Sequence, residues 1–267
     1  MFNIAPQMIG DLSFGFNIGE FAPTNPFKIA KNESPRPTNR VFLTYNYFND
    51  VTLGHPIPDL QTDLNREVIG FEKTFLNGDA SVGLRLPFFQ VHASDPTGSE
   101  NDSSLGDLNL IFKYAFINDR TNGNIFSAGL SITLPTASGD MEFRDGKLQP
   151  YIGGIYNMGN FYIHGFSSVA VPTDSDDTTM LFNDLGIGYF VYQNPTAFIS
   201  KVVPTFEVHI NTPLNHRDEP VPNIVDLTQG LHFEFNGQAW ITVGVVEPVT
   251  SPKPFEIEGI AQFNFRF

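Results

Sequence analysis

Two short stretches place histidine and glutamate at matching spacing on either side of one loop, Glu207-Val208-His209 and His232-Phe233-Glu234. A hairpin symmetric about residues 220 and 221 would set His209 opposite His232 and Glu207 opposite Glu234. Two imidazoles and two carboxylates on one wall have the chemistry to hold a divalent metal or to form a pH-sensitive constriction. No tight ligand spacing accompanies them, so the favoured reading is a hydrogen-bonded polar wall, with no metal assigned. A second stretch, His92-Ala93-Ser94, offers a base two residues from a hydroxyl, with Asn101 or Asp102 to orient it. Asp95-Pro96 follows, and an ordinary loop is the favoured reading. Acidic groups recur at Asp95, Glu100 and Asp102, at Asp174, Asp176 and Asp177, and at Asp218 and Glu219. They suit weak Ca²⁺ binding or bridging to lipopolysaccharide, but a solvated acidic rim explains them better. With no cysteine in the chain, thiolate zinc sites, disulfides and cysteine nucleophiles are excluded. No Gly-rich phosphate loop, His-rich metal motif or basic nucleic-acid patch is present. The sequence therefore assigns no catalytic residue, no metal and no cofactor, and does not read as an enzyme.

The elements that must position these groups are strands. From about residue 40 to the end, apolar and polar residues alternate with period two, and Gly, Asn, Asp or Pro closes each run. In the last run Phe255, Ile257, Gly259, Ala261, Phe263, Phe265 and Phe267 share one face, with Glu256, Glu258, Gln262, Asn264 and Arg266 on the other. Ile260 breaks the rule. Twelve strands are expected, near 40–51, 66–77, 80–91, 105–117, 124–135, 149–158, 160–172, 180–193, 200–212, 227–236, 238–248 and 254–267. Tight turns such as Asn77-Gly78-Asp79 and Asn236-Gly237-Gln238 alternate with longer acidic or Pro-rich loops. That pattern describes an all-β, antiparallel transmembrane barrel with short periplasmic turns and longer extracellular loops. Alternation puts Arg85, Asp107, Lys113, His164, Glu207, His209, His232, Glu234, Glu256, Glu258 and Arg266 on the lumen wall. Twelve strands give a bore of roughly 10–14 Å between side chains.

Residues 1–39 break the pattern, with Pro6, Pro23, Pro26, Pro35 and Pro37 opposing both helix and long strand. They form an extension before a barrel of residues 40–267, either inserted in the lumen, with Lys28, Lys31, Arg36 and Arg40 pairing with acidic wall residues, or left as a periplasmic tail.

Composition supports the membrane. Only 16% of residues are charged, against about 25% in an ordinary soluble domain, while 27 are Phe. An open Phe-rich sheet would aggregate in water, and closure removes its edges. A soluble β-sandwich gives no reason for alternating loop lengths. With 15 Lys+Arg against 29 Asp+Glu the net charge is −14, which excludes a typical nucleic-acid binder. No apolar run is long enough for a transmembrane helix. The start, Met1-Phe2-Asn3-Ile4-Ala5-Pro6, shows no signal peptide, so an exported mature chain is expected.

Phe27 to Pro37, Arg40 to Asp50 and Arg66 to Phe75 resemble an uncharacterised family of bacterial outer-membrane β-barrels. Gly106-Asp107-Leu108-Asn109-Leu110 and Leu130-Ser131-Ile132-Thr133-Leu134-Pro135-Thr136 are similar to barrels of the phenol meta-pathway type. The second resemblance implies uptake of hydrophobic compounds, and neither implies catalytic residues. The His-x-Ser spacing at His92 also resembles that of outer-membrane phospholipases. The expectation is an outer-membrane barrel acting as a passive channel for small solutes, hydrophobic ones among them. Its partners would be outer-membrane lipid, solutes, and other envelope proteins or surface polymers. A plugged, non-conducting structural barrel is the alternative, and an outer-membrane esterase stands third.

Overall fold

The structure is a computed structural model and describes residues 4–12, 27–51, 60–138, 146–175, 177–215 and 223–267. Its strands are β1 (Arg40–Asn49), β2 (Gln61–Phe75), β3 (Ala80–Asp95), β4 (Gly98–Leu105), β5 (Leu108–Asn118), β6 (Ile125–Leu134) and β7 (Lys147–Met158). They continue with β8 (Phe161–Pro172), β9 (Met180–Tyr189), β10 (Tyr192–Gln193), β11 (Ile199–Pro213), β12 (Ile224–Phe235), β13 (Ala239–Pro248) and β14 (Ile257–Arg266). Each stave pairs antiparallel with its neighbours, β9 meets β11, and β14 meets β1 from Asn49↔Ile257 to Arg40↔Arg266. The result is a closed barrel of twelve staves, with β4 paired only to β3 and β10 a short addition to β11. Closure satisfies the backbone of every stave and leaves the barrel itself without an edge.

The alternation in sequence becomes the two faces of the wall. On β9, Met180, Phe182 and Asp184 are buried inside while Leu185, Ile187 and Tyr189 face outward. The outer face is largely apolar, and next to the short turns it carries exposed rings at Phe116, Tyr156, Phe161, Phe198 and Phe267. An apolar belt edged by aromatic residues suits the lipid boundary of a membrane barrel. In the three-residue β12–β13 turn, Asn236 and Gly237 both take positive φ, 49° and 70°, the left-handed conformation that Asn and Gly adopt most readily.

Proline, which donates no ladder hydrogen bond, sits where a partner is lost. Pro172, Pro213 and Pro248 end their strands. Pro87 lies inside β3, at the point where that strand passes from β5 to β4, and Pro204 lies where β11 passes from β10 to β9.

Three expectations change. The span 92–104 is a hairpin rather than a loop: Asp95 Oδ1 accepts the N–H groups of Thr97 (2.7 Å) and Gly98 (2.9 Å), folding β4 back along β3. Strand β2 starts at Gln61, not 66. Strand β12 starts at Ile224, so Ile224, Val225 and Asp226 already pair with β11. The hairpin is therefore centred between residues 217 and 218. His209 faces Asp226, Glu207 faces Thr228, His232 faces Val203 and Glu234 faces Lys201. The symmetric His/Glu pairing does not form.

The outward face yields a test. Ile69 and Leu185 lie near the middle of their strands and are 62% and 60% exposed. Arg at the bilayer midplane costs roughly 2–4 kcal/mol. Ile69→Arg or Leu185→Arg is expected to block assembly into a heat-modifiable band on SDS gels, while Thr121→Arg on an exposed turn assembles normally. Equal assembly of all three would refute the lipid-facing assignment.

Candidate functional site

The interior is occupied by the chain's own N-terminal part. Residues 4–12 and 27–36 run inside the barrel and are almost entirely buried. Met8 N–H donates to Glu33 O at 2.8 Å, joining the two stretches. Gly10 holds them close, because a Cβ there would lie 2.6 Å from Lys31 Cα and its φ is +74°.

Polar groups of the wall grip this insert at four places. Glu33 accepts from Arg40 Nη2 (2.8 Å), Lys113 Nζ (2.8 Å) and Arg85 Nη2 (2.9 Å), bringing β1, β5 and β3 onto one carboxylate. Glu72 on β2 shares Arg40 (2.8 Å) and Lys113 (3.0 Å). Burial works against the charged form of Glu33, yet Arg40, Lys113 and Arg85 hold its carboxyl well below the ordinary carboxylate range. Across the lumen, Lys28 Nζ lies 2.6 Å from both Asp11 Oδ1 and Asp184 Oδ1, and 2.8 Å from Asn211 Oδ1. The backbone N–H groups of Ile9 and Gly10 donate to the two oxygens of Glu207, each at 2.8 Å. Lys31 pairs with Glu258 on β14. The apolar component is specific too. Gly230 and Gly244 face each other across β12 and β13 and open a notch for Ile9; a Cβ on Gly230 would lie 2.1 Å from Ile9 Cδ1.

Most residues read as lumen wall are buried inside, but they bind the insert or one another. Arg85, Lys113, Glu207 and Glu258 touch the insert directly. His209 is fixed by Asp184 (2.8 Å) and Thr228 (3.0 Å), His164 lies 3.6 Å from Glu207, and His232 bonds Thr242 at 2.7 Å. Glu234 pairs with Lys201 at 2.7 Å and Arg266 at 4.0 Å. One assignment is corrected. Glu256 precedes β14 and is exposed, because Phe255 turns inward onto Phe48 with ring centroids 5.3 Å apart. Asp107 lies between β4 and β5, where it accepts the N–H groups of Thr136 and Ala137 at 2.7 Å each and ties down the chain after β6. Arg36 meets Asn118 and the Gly123 carbonyl.

Asp11, Asp184 and His209 converge closely enough to ligate a metal. The Lys28 ammonium already sits between the two carboxylates, so the cation of this cluster belongs to the chain. Asp176, Asp218 and Glu219 lie outside the described residues. His92 Nδ1 is 2.6 Å from Asn101 Oδ1 on the exposed β3–β4 hairpin, but no hydrogen bond joins Ser94 to His92 among the described residues.

Sequence reasoning missed Asp11, Glu33, Arg66, Glu72, Asp184 and Asp226. On β2 the inward row Thr62, Leu64, Arg66, Val68, Gly70, Glu72 does alternate, and a strand begun at residue 61 would have revealed it. On β9 the inward row ends in Gly186 and Gly188, which hides the face of Asp184. Asp11 and Glu33 lie in a segment without periodicity.

No curated protein matches the chain. In fold it is similar to an outer membrane channel from Pseudomonas putida F1, with TM-score 0.66 and 11% identity over 86% of this chain and 96% of that one. It is also similar to the KdgM porin in complex with disordered oligogalacturonate, with TM-score 0.51 and 11% identity over 85% of this chain and 99% of that one. The transport unit of the autotransporter AIDA-I from Escherichia coli gives TM-score 0.55 and 9% identity over 87% of this chain and 90% of that one. Such likeness is one of fold, and that fold serves different tasks. Residues 13–203 match the family described as "Putative MetA-pathway of phenol degradation", and the chain belongs to that family.

Proposed function

We propose that the protein spans the bacterial outer membrane as a passive channel for small solutes, and that its N-terminal segment is a displaceable plug. The observation that carries this reading is the three-cation grip on Glu33. Insert and wall meet in large part through ion pairs that water can replace, as a segment able to leave the lumen requires. The apolar outer belt supports the membrane location, and the family description supports hydrophobic solutes among those carried. The same closed lumen favours a second reading, a structural barrel that never conducts.

Conductance separates the two. Deleting residues 1–39 is expected to raise single-channel conductance in planar bilayers at least several-fold, and Glu33→Gln to increase the frequency of open events. Identical traces for wild type and both variants would leave the non-conducting reading standing. A steric route should agree: Gly230→Val fills the notch of Ile9 and is expected to open the channel without altering any charge, with stability of the barrel checked by its unboiled gel band.

The pH response follows from Glu33. A carboxylate whose folded pKa is depressed keeps its stabilising pairs above the ordinary range and loses them as pH falls through the folded value. The wild-type plug is therefore expected to hold at pH 5 and to release only below about pH 4, the ordinary carboxylate value. Opening of wild type at pH 5 would show that Glu33 is not the lock.

A further inference from the structure

Among the described residues, Lys28, Lys31, Arg40, Arg85 and Lys113 are buried cations with a carboxylate oxygen within 4.0 Å. Arg66 is the exception. It projects inward from β2, is 1% exposed, and its Nε and Nη1 have no hydrogen-bond partner. Glu258, an acid of the same wall, directs Oε1 to Lys31 and Asn46. A buried guanidinium with two nitrogens lacking an acceptor is costly, so a site that keeps one is built for something that supplies the acceptor.

Its surroundings define the rest of that ligand. The Arg66 guanidinium lies over two phenyl rings, Phe27 of the insert at 5.2 Å and Phe89 of β3 at 5.7 Å. Phe89 pairs directly with Arg66 across the β2–β3 ladder. It also belongs to an apolar cluster with Phe48, Leu64, Val246, Phe255 and Ile9. Phe48, Leu64, Val246 and Phe255 lie at or next to strand ends on the side of the longer loops, Phe89 lies level with Arg66, and Arg66 is two residues further from the loop than Leu64. A solute arriving from the loop side would meet an apolar layer first and a bare guanidinium beneath it.

We propose that Arg66 is the anion-binding residue of a solute site, and that the site takes small carboxylates with an apolar body. Arg offers a planar fork that accepts a carboxylate through two parallel N–H···O bonds, while Phe89 and its cluster cover the hydrocarbon part. The acidic groups near the loops act over about 8–10 Å at physiological salt and govern approach to the mouth more than occupancy of a site below the apolar layer. The inference deepens the channel reading and rests on it for its purpose, although binding itself can be read without conduction.

The test is equilibrium binding of benzoate and of its neutral counterpart benzamide to the detergent-purified full chain, followed by ligand-observed NMR. Wild type is expected to prefer benzoate, and Arg66→Met to weaken benzoate at least tenfold while leaving benzamide unchanged. Phe89→Ala is expected to reduce benzoate binding while sparing acetate, and it decides the matter if Arg66→Met fails to give a heat-modifiable barrel. Benzoate affinity that survives Arg66→Met, or chloride competing at the same concentration as benzoate, would overturn the proposal. A barrel that binds benzoate through Arg66 yet never conducts would refute the channel reading alone.

Discussion

A carboxylate taken out of water must meet cations or give up its charge, and Glu33 meets three. Its grip explains why residues 4–12 and 27–36, irregular in structure, lie buried inside the barrel. It also explains the wall: Arg40, Arg85 and Lys113 would repel one another if brought together in an empty lumen, and the insert's anion makes their convergence tolerable. Breaking one partner of a buried pair costs several kcal/mol, mostly because the remaining charge is stranded. Insert and wall are thus complementary halves of one electrostatic arrangement, and either half alone is a poorer structure than the two together.

The opposite side of the lumen uses the same logic with signs reversed. There Lys28 is the insert's cation, set between Asp184 of the wall and Asp11 of the insert, and Glu207 takes two backbone N–H groups rather than a side chain. His209 and His232 are hydrogen-bonded members of the polar wall, which is the reading the sequence favoured. The barrel as a fold is shared with a channel, a porin and an autotransporter, so whatever distinguishes this chain resides in what fills it.

The barrel was legible because period two and turn chemistry are local. All twelve staves were visible, and the turn at Asn236-Gly237 was readable from two residues. Register was not legible: the β11–β12 pairing depends on where β12 begins, and the run Ile224-Val225-Asp226 is too short to announce itself. The His/Glu constellation failed for that reason, since a shift of the hairpin centre reassigns every opposite pair. The insert's contacts were hidden for another reason. Lys28 and Lys31 advertised a need for acids, but nothing in a segment without periodicity says which wall residues supply them, nor that Glu33 would reverse the polarity of the arrangement.

The β3–β4 hairpin carries a last consequence. Strand β4 pairs with β3 alone, so its other side is a free edge, longer among the described residues than that of the two-residue β10. Free edges recruit strands from neighbouring copies. This one reads Gly98-Ser99-Glu100-Asn101-Asp102-Ser103-Ser104-Leu105, almost wholly polar and exposed, and a two-way bridge to Ser138 caps it at Leu105. Charge and short polar side chains make it a poor template. Molecules crowded side by side in a membrane would keep their hairpins separate, so that this exposed hairpin stays available to its surroundings and is not consumed in fibre-like self-association.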